Sequence, residues 1–436
     1  QNDVRDVKND VGEVQNDVKD VKNDVGEVQN DVRNVKNDVG AVQNDVKNVQ
    51  NDVGAVQNDV ENVKNDVGAV QNDVKNVQND VGAVQNDVEN VKNDVGAIQN
   101  DVKNVQNDVR EVKDEVKMTQ VEMRCITKEA IERYDLFTGR RKIFLCGGKD
   151  GKTRRNSVES YSWPDNSWTL EPAMKEKRSG ASAFVHGREI YVSGGWNGTE
   201  NANTIESLNV DKEQCLEWVK SVEMPIKCRG HKMVRHGNSA ILTGGVGDGD
   251  NNLSDGIYEI SLNPPHNTKL LTQLPETRCF HGCEIVENQV LVAGGRTSNY
   301  FKDTKNTVYA YDLNSNECKT LPPLPLAVSQ IATVSYKDNV ILIGGFNEKG
   351  ETLNSVIMYN VKTGKVKMLP CLNHKRASCA AVITGNVIVV MGGYDHEADR
   401  CLNSVEYLDL SSNVWRELSP MRNKRSSATA VMNPIC

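Results

Sequence analysis

The chain has 436 residues, enough for two or three domains, and its composition divides it sharply. Residues 1–118 hold 14 Lys and Arg against 25 Asp and Glu, whereas residues 119–436 hold 38 against 35. The acidic first part argues against nucleic acid as its partner, because like charges repel, and the second part is too weakly basic to indicate nucleic acid. No apolar run of 18 residues occurs, so we expect no membrane span.

The cysteines indicate a reducing compartment. There are 11 of them, an odd number, and no CxxC pair occurs. Several lie inside apolar runs, such as Cys146 in IFLCGG. This pattern is typical of buried reduced thiols rather than of a disulfide framework or a zinc ribbon, so we expect a cytoplasmic protein.

The first part, 1–118, carries a heptad pattern. Counting Val4 as position a, every a and d position through Val116 is Val except Ile98, which gives 16 heptads. Position g is acidic and position e is Lys or Gln, so opposite charges can pair across parallel helices. The pattern predicts a long α-helical coiled coil that joins several chains into a homo-oligomer, and β-branched residues at both a and d favour trimers or tetramers.

A second interpretation of this part stays open. A finer repeat of 14 residues places Gly at position b of alternate heptads, from Gly12 to Gly96. Each Gly costs about 1 kcal/mol against Ala in a helix, and Val, Asn and Asp are also poor helix formers. The segment would then be an expanded, partly disordered repeat. Residues 119–140 still have a helical pattern, and we interpret them as a helical junction to the second part.

The second part, 141–436, contains an internal repeat. Six glycine doublets follow apolar runs at intervals of 47 to 50 residues, and they are Gly147 and Gly148, Gly194 and Gly195, Gly244 and Gly245, Gly294 and Gly295, Gly344 and Gly345, and Gly392 and Gly393. Consecutive glycines are expected where a strand ends against a crowded backbone and φ must be positive.

Each period also holds further strand patterns. Most doublets are followed by a polar loop and a strand such as NSVESY (156–161) or NSVEYL (403–408). In three of the repeats a fourth strand pattern contains a tryptophan, namely Trp168, Trp218 or Trp415. We expect these side chains to be wedged between the blades that neighbouring repeats form. Four strands in each of six periods predict an all-β six-bladed propeller. The run RSSATAVM (425–432) has no doublet after it, so we expect the C-terminus to supply the innermost strand of blade 1.

Together, the doublet, the NSVExY strand and the Trp six residues before Met resemble the kelch repeat. The nearest resemblance is to the propellers of the Kelch-like family, whose members combine BTB, BACK and kelch domains. The resemblance implies a substrate receptor of a cullin-based ubiquitin ligase, while some members bind actin. The BTB and BACK parts are not in this chain. Because it begins at Gln1 inside a repeat, we expect a longer protein in which a preceding domain would contact cullin.

The resemblance also implies a partner-binding rim over the central pore, built from two positional sets. One set is the Arg before each innermost strand, namely Arg178, Arg229, Arg278, Arg376 and Arg425, with Val328 in the remaining copy. The other set follows each doublet and comprises Lys149, Trp196, Val246, Arg296, Phe346 and Tyr394. Arg pairs with carboxylates and aromatic side chains anchor peptides, so the expected ligand is an acidic or phosphorylated segment. Alternatively, each Arg pairs locally within the disc.

An enzymatic function is not indicated. The seven His are scattered without the spacing of a metal chelate, and no GxSxG, P-loop, GxGxxG or HExxH motif occurs. We therefore expect no catalytic residue, no metal and no cofactor. The two leading hypotheses are a ubiquitin-ligase adaptor that is oligomerised by the coiled coil and an actin-binding cross-linker or scaffold.

Overall fold

The computed structural model describes residues 81–210, 217–249 and 252–434, together with isolated helical positions between residues 11 and 61. The chain forms two compact units, residues 1–116 and 117–436.

The described part of the first unit belongs to the helix α1 (Val81–Phe137). Its predicted seam presents a row of partly exposed apolar side chains, among them Val91, Ile98, Val105 and Val112, with exposed fractions of 39–41%. The rest of the predicted seam, before residue 89, lies outside the described side chains apart from Val11. The helix is present, and the coiled coil stays a prediction because its formation requires partner helices.

In the second unit, the end of α1 packs on the β-structure. Leu136 is fully buried, and the Phe137 ring lies 5.2 Å from that of Trp163. Arg133 forms an ion pair of 3.1 Å with Asp409, and the N–H of Gly385 donates to Glu132 Oε2 at 2.8 Å. The last turns of α1, which belong to the predicted helical junction 119–140, are therefore docked on this unit. No described helix is long and apolar enough to cross a membrane.

The remainder of the second unit consists of six antiparallel four-stranded blades. The innermost strands of blades 2 to 6 and of blade 1 are β6 (Ser182–His186), β10 (Lys232–His236), β14 (Gly282–Val286), β18 (Ala332–Tyr336), β22 (Ala380–Thr384) and β28 (Thr429–Met432). The second strands of blades 1 to 6 are β1 (Ile143–Cys146), β7 (Glu189–Ser193), β11 (Ser239–Thr243), β15 (Gln289–Ala293), β19 (Asn339–Ile343) and β23 (Val387–Met391).

The two outer layers complete the blades. The third strands are β4 (Val158–Ser162), β8 (Thr204–Asn209), β12 (Gly256–Ser261), β16 (Val308–Asp312), β20 (Val356–Asn360) and β26 (Val405–Asp409). The outermost strands are β5 (Ser167–Glu171), β9 (Val219–Glu223), β13 (Thr268–Gln273), β17 (Glu317–Leu321), β21 (Val366–Leu369) and β27 (Val414–Leu418). Loops after two doublets form short hairpins, β2 (Lys149–Asp150) with β3 (Thr153–Arg154) and β24 (Tyr394–Asp395) with β25 (Arg400–Cys401). A 3-10 turn covers Phe301–Asp303.

The C-terminal strand closes the ring. β28 pairs with β1 in antiparallel register, with Ile143 opposite Met432 and Cys146 opposite Thr429. Blade 1 therefore combines strands from both ends of the propeller, which is the arrangement that the sequence predicts. The closure leaves neither end of the ring as an open edge. The fold class, a six-bladed β-propeller preceded by a long helix, is confirmed.

The tryptophans of the outermost strands join neighbouring blades. Each is at least 93% buried, and each indole N–H donates to a carbonyl in the segment that leaves the preceding blade. The distances are 2.9 Å for Trp168 to Ser419, 2.9 Å for Trp218 to Pro172 and 2.8 Å for Trp415 to Pro370. Each ring thus buries a large apolar surface without leaving its polar atom unsatisfied.

Blade 5 replaces this contact by another side chain. Val366 stands at the tryptophan position there, and it pairs with Tyr359 on the neighbouring strand. The hydroxyl of Tyr359 donates to the carbonyl of Pro322 in the preceding connection at 2.8 Å. The same type of carbonyl is therefore satisfied by a donor from β20 instead of β21.

Candidate functional site

Because the strands are antiparallel, the ends of the second strands and the starts of the innermost strands meet at one face of the disc. We call this face the doublet rim, and it comprises the loops after the doublets and the connections between blades. The first glycine of each doublet has positive φ. A Cβ at Gly147 would lie 2.5 Å from the carbonyl oxygen of Arg178, so a side chain is excluded there.

A closed circle of backbone hydrogen bonds surrounds the channel at this rim. Each of its six residues donates its N–H to the carbonyl of the equivalent residue in the preceding blade, at 2.7–2.9 Å. All six have positive φ, and they are Gly180, Gly230, Phe280, Gln330, Ser378 and Ser427. Left-handed backbone is unusual for the four that are not glycine. We call this circle the mouth ring, and it fixes the starts of all six innermost strands relative to one another.

Four of the arginines predicted to face a partner are instead buried. Arg178, Arg278, Arg376 and Arg425 have exposed fractions of 0–1%. Nη1 of each donates to the carbonyl of the first doublet glycine in the blade that follows, as in the 2.8 Å bond from Arg178 to Gly194. Their assignment to the partner surface was wrong, because a buried guanidinium that is already bonded offers nothing to a ligand. Instead, these side chains fasten each connection to the next blade.

The carboxylates that neutralise these arginines lie mostly on the third strands. Nε and Nη2 of Arg178 donate to Glu206 Oε1 at 3.0 and 2.9 Å. Arg376 pairs with Glu406 at 2.6 Å, Arg425 pairs with Glu159, and Arg278 pairs with Glu276 of its own connection. Of the alternatives considered for the sequence, local pairing is therefore the correct one for these four.

Arg229 differs from the other four because it lies one residue out of register. The carbonyl of Cys228, not of Arg229, accepts the N–H of Gly195, as the carbonyl of Arg178 accepts that of Gly148. Arg229 itself exchanges backbone bonds with Val246 and is half-buried at the doublet rim. Its guanidinium carbon lies 5.3 Å from the centroid of the Trp196 ring. Arg229 was therefore wrongly placed in the same positional set as the four buried arginines. Its shift by one residue along the connection places its side chain at the surface.

The residues that follow the doublets divide into two groups. Val246, Arg296 and Phe346 are at least 96% buried, whereas Lys149, Trp196 and Tyr394 are half-buried. Lys149, Trp196 and Arg229, together with Arg154, form what we call the basic sector. Burial lowers the pKa of Lys149, and the nearby Arg154 and Arg229 charges lower it further. In the described part of the chain, none of these three cations forms an ion pair with a carboxylate.

Arg296 is a further cation that forms no ion pair with a carboxylate of the described residues. Its guanidinium carbon lies 4.9 Å from the Phe280 ring centroid and 4.5 Å from that of Phe301. Nη1 donates to the carbonyl of Asn299 at 3.1 Å, while Nε and Nη2 have no acceptor among the described residues. In Arg178 the same two nitrogens hold Glu206, so this edge of Arg296 has the shape that receives a carboxylate. Burial lowers the pKa of Arg296.

Phe280 and Phe301 were not predicted from the sequence, and neither were the glutamates that bind the buried arginines. A signal for the glutamates was present. In the blades whose third strand reads NSVE or NTIE, an Arg stands before the innermost strand. In blade 5, Val328 stands at the Arg position and Ile357 stands at the Glu position. No comparable signal marks Phe280, because its role follows from the mouth ring.

The described part of this rim does not assemble metal-ligating or thiol chemistry. No group of three or more His, Cys, Asp or Glu in the described ranges could hold a metal ion. Nine described cysteines are free thiols, and burial raises the pKa of Cys146 and of Cys279 to about 12. Such thiols are inert rather than nucleophilic.

Comparisons with known proteins agree with this architecture. A family profile described as "KLHDC2/KLHL20/DRC7 Kelch-repeats domain" matches residues 95–295 and 230–433. "Kelch-like protein 40" of Xenopus tropicalis is 25% identical over 228 residues, 50% of this chain and 36% of that protein. "Alpha-scruin" of Limulus polyphemus is 28% identical over 206 residues, 44% of this chain and 22% of that protein.

A solved structure, "Structure of YjhT", has a TM-score of 0.52 at 13% identity and covers 59% of this chain and 88% of that one, a likeness of fold alone. The matched region spans about a third of the length of the Kelch-like protein 40 sequences of Xenopus, 36% and 34%.

Proposed function

The chain belongs to the kelch-repeat family that this profile describes, and from that premise we propose that its doublet rim binds an acidic or phosphorylated segment of another protein. Kelch propellers of this kind are typically non-enzymatic modules for protein interaction. We further propose that the bound protein is a substrate that is presented to a cullin-type ubiquitin ligase. The similarity to Kelch-like proteins supports this finer role.

The basic sector is the observation that carries the proposal. Lys149, Arg154 and Arg229 gather three positive charges at one side of the channel mouth without a paired carboxylate in the described part of the chain. Trp196 adds an aromatic surface beside them, and Arg229 already lies over its ring. Charge-assisted bonds to carboxylate or phosphate oxygens are short and strong, and an aromatic side chain anchors the peptide between them.

Arg296 would provide a deeper contact on the other side of the mouth. Its Nε and Nη2 atoms are buried without a described acceptor, and the Phe280 and Phe301 rings lie against the guanidinium group. A ligand carboxylate that displaced Phe301 would satisfy two buried donors at once. Leaving such donors unsatisfied costs about 1–3 kcal/mol each, and more when the group is charged. This side chain therefore favours a ligand with acidic groups spaced across the mouth.

The remaining parts of the proposal concern assembly and compartment. Pairing of the heptad seam would gather several propellers, and avidity raises effective affinity by about 10² to 10⁴ without new contacts. The cullin contact would come from a domain outside this chain. We propose a cytoplasmic protein, since a propeller with buried free thiols suits a reducing compartment.

An actin-binding cross-linker or scaffold is the second candidate. The presence of "Alpha-scruin" among the similar proteins is the observation that favours it. Under this hypothesis the helices of several chains associate, and each of the joined propellers binds an actin filament. The two candidates differ in what the basic sector does, because a cross-linker need not use the unpaired cations at the mouth.

Capture from cell lysate with the full chain tests the proposal. The wild-type chain is compared with a Lys149→Glu/Arg229→Glu variant and with Lys269→Glu, which changes an exposed lysine on the outer strand of blade 3. Mass spectrometry identifies bound proteins, and purified actin is assayed separately by co-sedimentation. Loss of an acidic-motif protein from the rim variant alone supports the adaptor. Co-sedimentation with actin that is equal for all three proteins supports the cross-linker.

A further inference from the structure

The centre of the propeller contains a cavity that is separate from the basic sector. A cavity of about 410 Å³ runs between the innermost strands and is lined by residues of all six blades. Ligand pockets in proteins usually measure about 300–1,000 Å³, so this volume accommodates a small molecule. Most lining side chains are short or apolar. The charged groups among the lining residues of the described chain are Arg141, Lys232 and Glu284.

Lys232 is exceptional at its position. The equivalent residues of the other innermost strands are short, and they are Ser182, Gly282, Ala332, Ala380 and Thr429. The charge of Lys232 acts on Glu284 and Cys283 in the neighbouring blade and on Cys379 in blade 6, on the opposite side of the channel. Lys232 itself is one of the residues that line the cavity. Its ammonium group forms no ion pair or hydrogen bond with the described residues.

The groups around this ammonium leave it with little compensation. His231 and His281 are buried behind it, and burial lowers the pKa of His231 to about 3 and that of His281 well below its usual value, so both rings are neutral. Burial raises the pKa of Cys283 to about 12 and that of Cys379 to about 11, so these thiols are neutral too.

Glu284 is the carboxyl group among the described lining residues that could neutralise Lys232. The Lys232 ammonium nitrogen and the Glu284 carboxyl oxygens are more than 4.0 Å apart, so the two side chains form no ion pair. Its Oε1 accepts a hydrogen bond of 2.9 Å from the hydroxyl of Thr333. Burial raises its pKa to about 7, so the carboxyl is only partly ionised at neutral pH. The lining holds two basic side chains, Lys232 and Arg141, against the one carboxyl group of Glu284, and burial lowers the pKa of Lys232. Enclosing an unpaired charge costs free energy, which a bound anion would relieve.

We propose that the channel binds a small oxyanion, a carboxylate or a phosphate, against the ammonium of Lys232. Thr333 and Glu284 also line the cavity, and a hydroxyl group or a protonated carboxyl group there can donate a hydrogen bond to the ligand. This site is separate from the basic sector and requires no partner protein at the doublet rim. Of the innermost strands, blade 3 alone places a long charged side chain at this position, so the site belongs to blades 3 and 4.

Calorimetric and thermal-unfolding titrations of the full chain test the site. The probes are sodium acetate and sodium phosphate at constant ionic strength, with sodium chloride as the reference. Lys232→Met keeps most of the length of the side chain and removes its charge, and Lys269→Met is the matched control on the outer strand of the same blade. We expect saturable binding of acetate or phosphate by the wild type and by Lys269→Met, and binding at least tenfold weaker by Lys232→Met.

A second variant keeps the proposal testable if Lys232→Met does not fold. Glu284→Gln removes the competing negative charge and should bind the same oxyanion more tightly than the wild type. No saturable response of the wild type to either oxyanion overturns the proposal, as does undiminished binding by Lys232→Met or unchanged affinity of Glu284→Gln. The response to acetate against phosphate distinguishes a carboxylate ligand from a phosphate ligand.

Discussion

Replacing the buried ion pair of blade 6 tests the structural role of the arginines. Arg376 and Glu406 are both fully buried, and they are joined at 2.6 Å. Arg376→Val would leave Glu406 with a bond of 2.8 Å from the N–H of Asn373 but without its counter-ion. Breaking a buried pair in this way typically costs about 3–5 kcal/mol. A large loss of stability is therefore expected from this single change.

The double variant Arg376→Val/Glu406→Ile copies the apolar pair that blade 5 uses, Val328 with Ile357. Replacing a buried ion pair by apolar residues is often neutral or stabilising. The double variant should therefore recover about 2 kcal/mol or more of the stability that Arg376→Val loses. Urea unfolding followed by tryptophan fluorescence measures both. An unchanged midpoint for Arg376→Val, or a double variant no more stable than the single, would refute the reasoning.

Three further predictions concern packing, pH and closure. Trp415→Ala should destabilise the propeller by about 3–5 kcal/mol because it empties a buried contact between blades, and a near-unchanged melting temperature would contradict the placement. The pKa of Glu284 is raised from 4.5 to about 7 in the fold, so its contribution to stability is complete below about pH 4.5 and is lost as pH rises through 7. Glu284→Gln should therefore have a free energy of unfolding higher than that of the wild type at pH 8, by on the order of 3 kcal/mol, but not at pH 4.5. An equal gain in stability at both pH values would contradict the raised pKa of Glu284. Deleting residues 427–436 removes β28 and one member of the mouth ring, so limited proteolysis should cut the shortened propeller much faster, and equal resistance would count against C-terminal closure.

The repeated features of the fold could be predicted from the sequence because they recur at fixed spacing. The doublets mark where each second strand ends, and the unpaired final strand implies that β28 completes blade 1. The tryptophan positions follow from the same period, and the structure places Trp168 and Trp415 between blades. These features depend on backbone geometry and large apolar side chains, and both leave strong local patterns.

The site was predicted less well because the exposure of an arginine depends on residues distant in sequence. Arg178 is buried because Glu206 lies opposite it on another strand, and a search for cations near the pore does not reveal that pairing. Arg229 reaches the rim because the connection into blade 3 is shifted by one residue. Phe280 and Arg296 come together only when the mouth ring brings adjacent blades into contact. Such features belong to tertiary structure rather than to the repeat.

Peptide binding to the doublet rim tests the central claim most directly. Fluorescence polarisation would compare the full chain with its Arg229→Glu and Lys149→Glu variants and with the Lys269→Glu control. The ligands are a panel of acidic and phosphorylated peptides, each paired with a version in which Glu is replaced by Gln. We predict that acidic or phosphorylated peptides bind the wild type and the control, and that either rim change weakens binding at least tenfold, as expected from losing one charge-assisted contact of about 1.5–3 kcal/mol. Failure of every acidic peptide to bind, or equal binding by Arg229→Glu, would contradict the account.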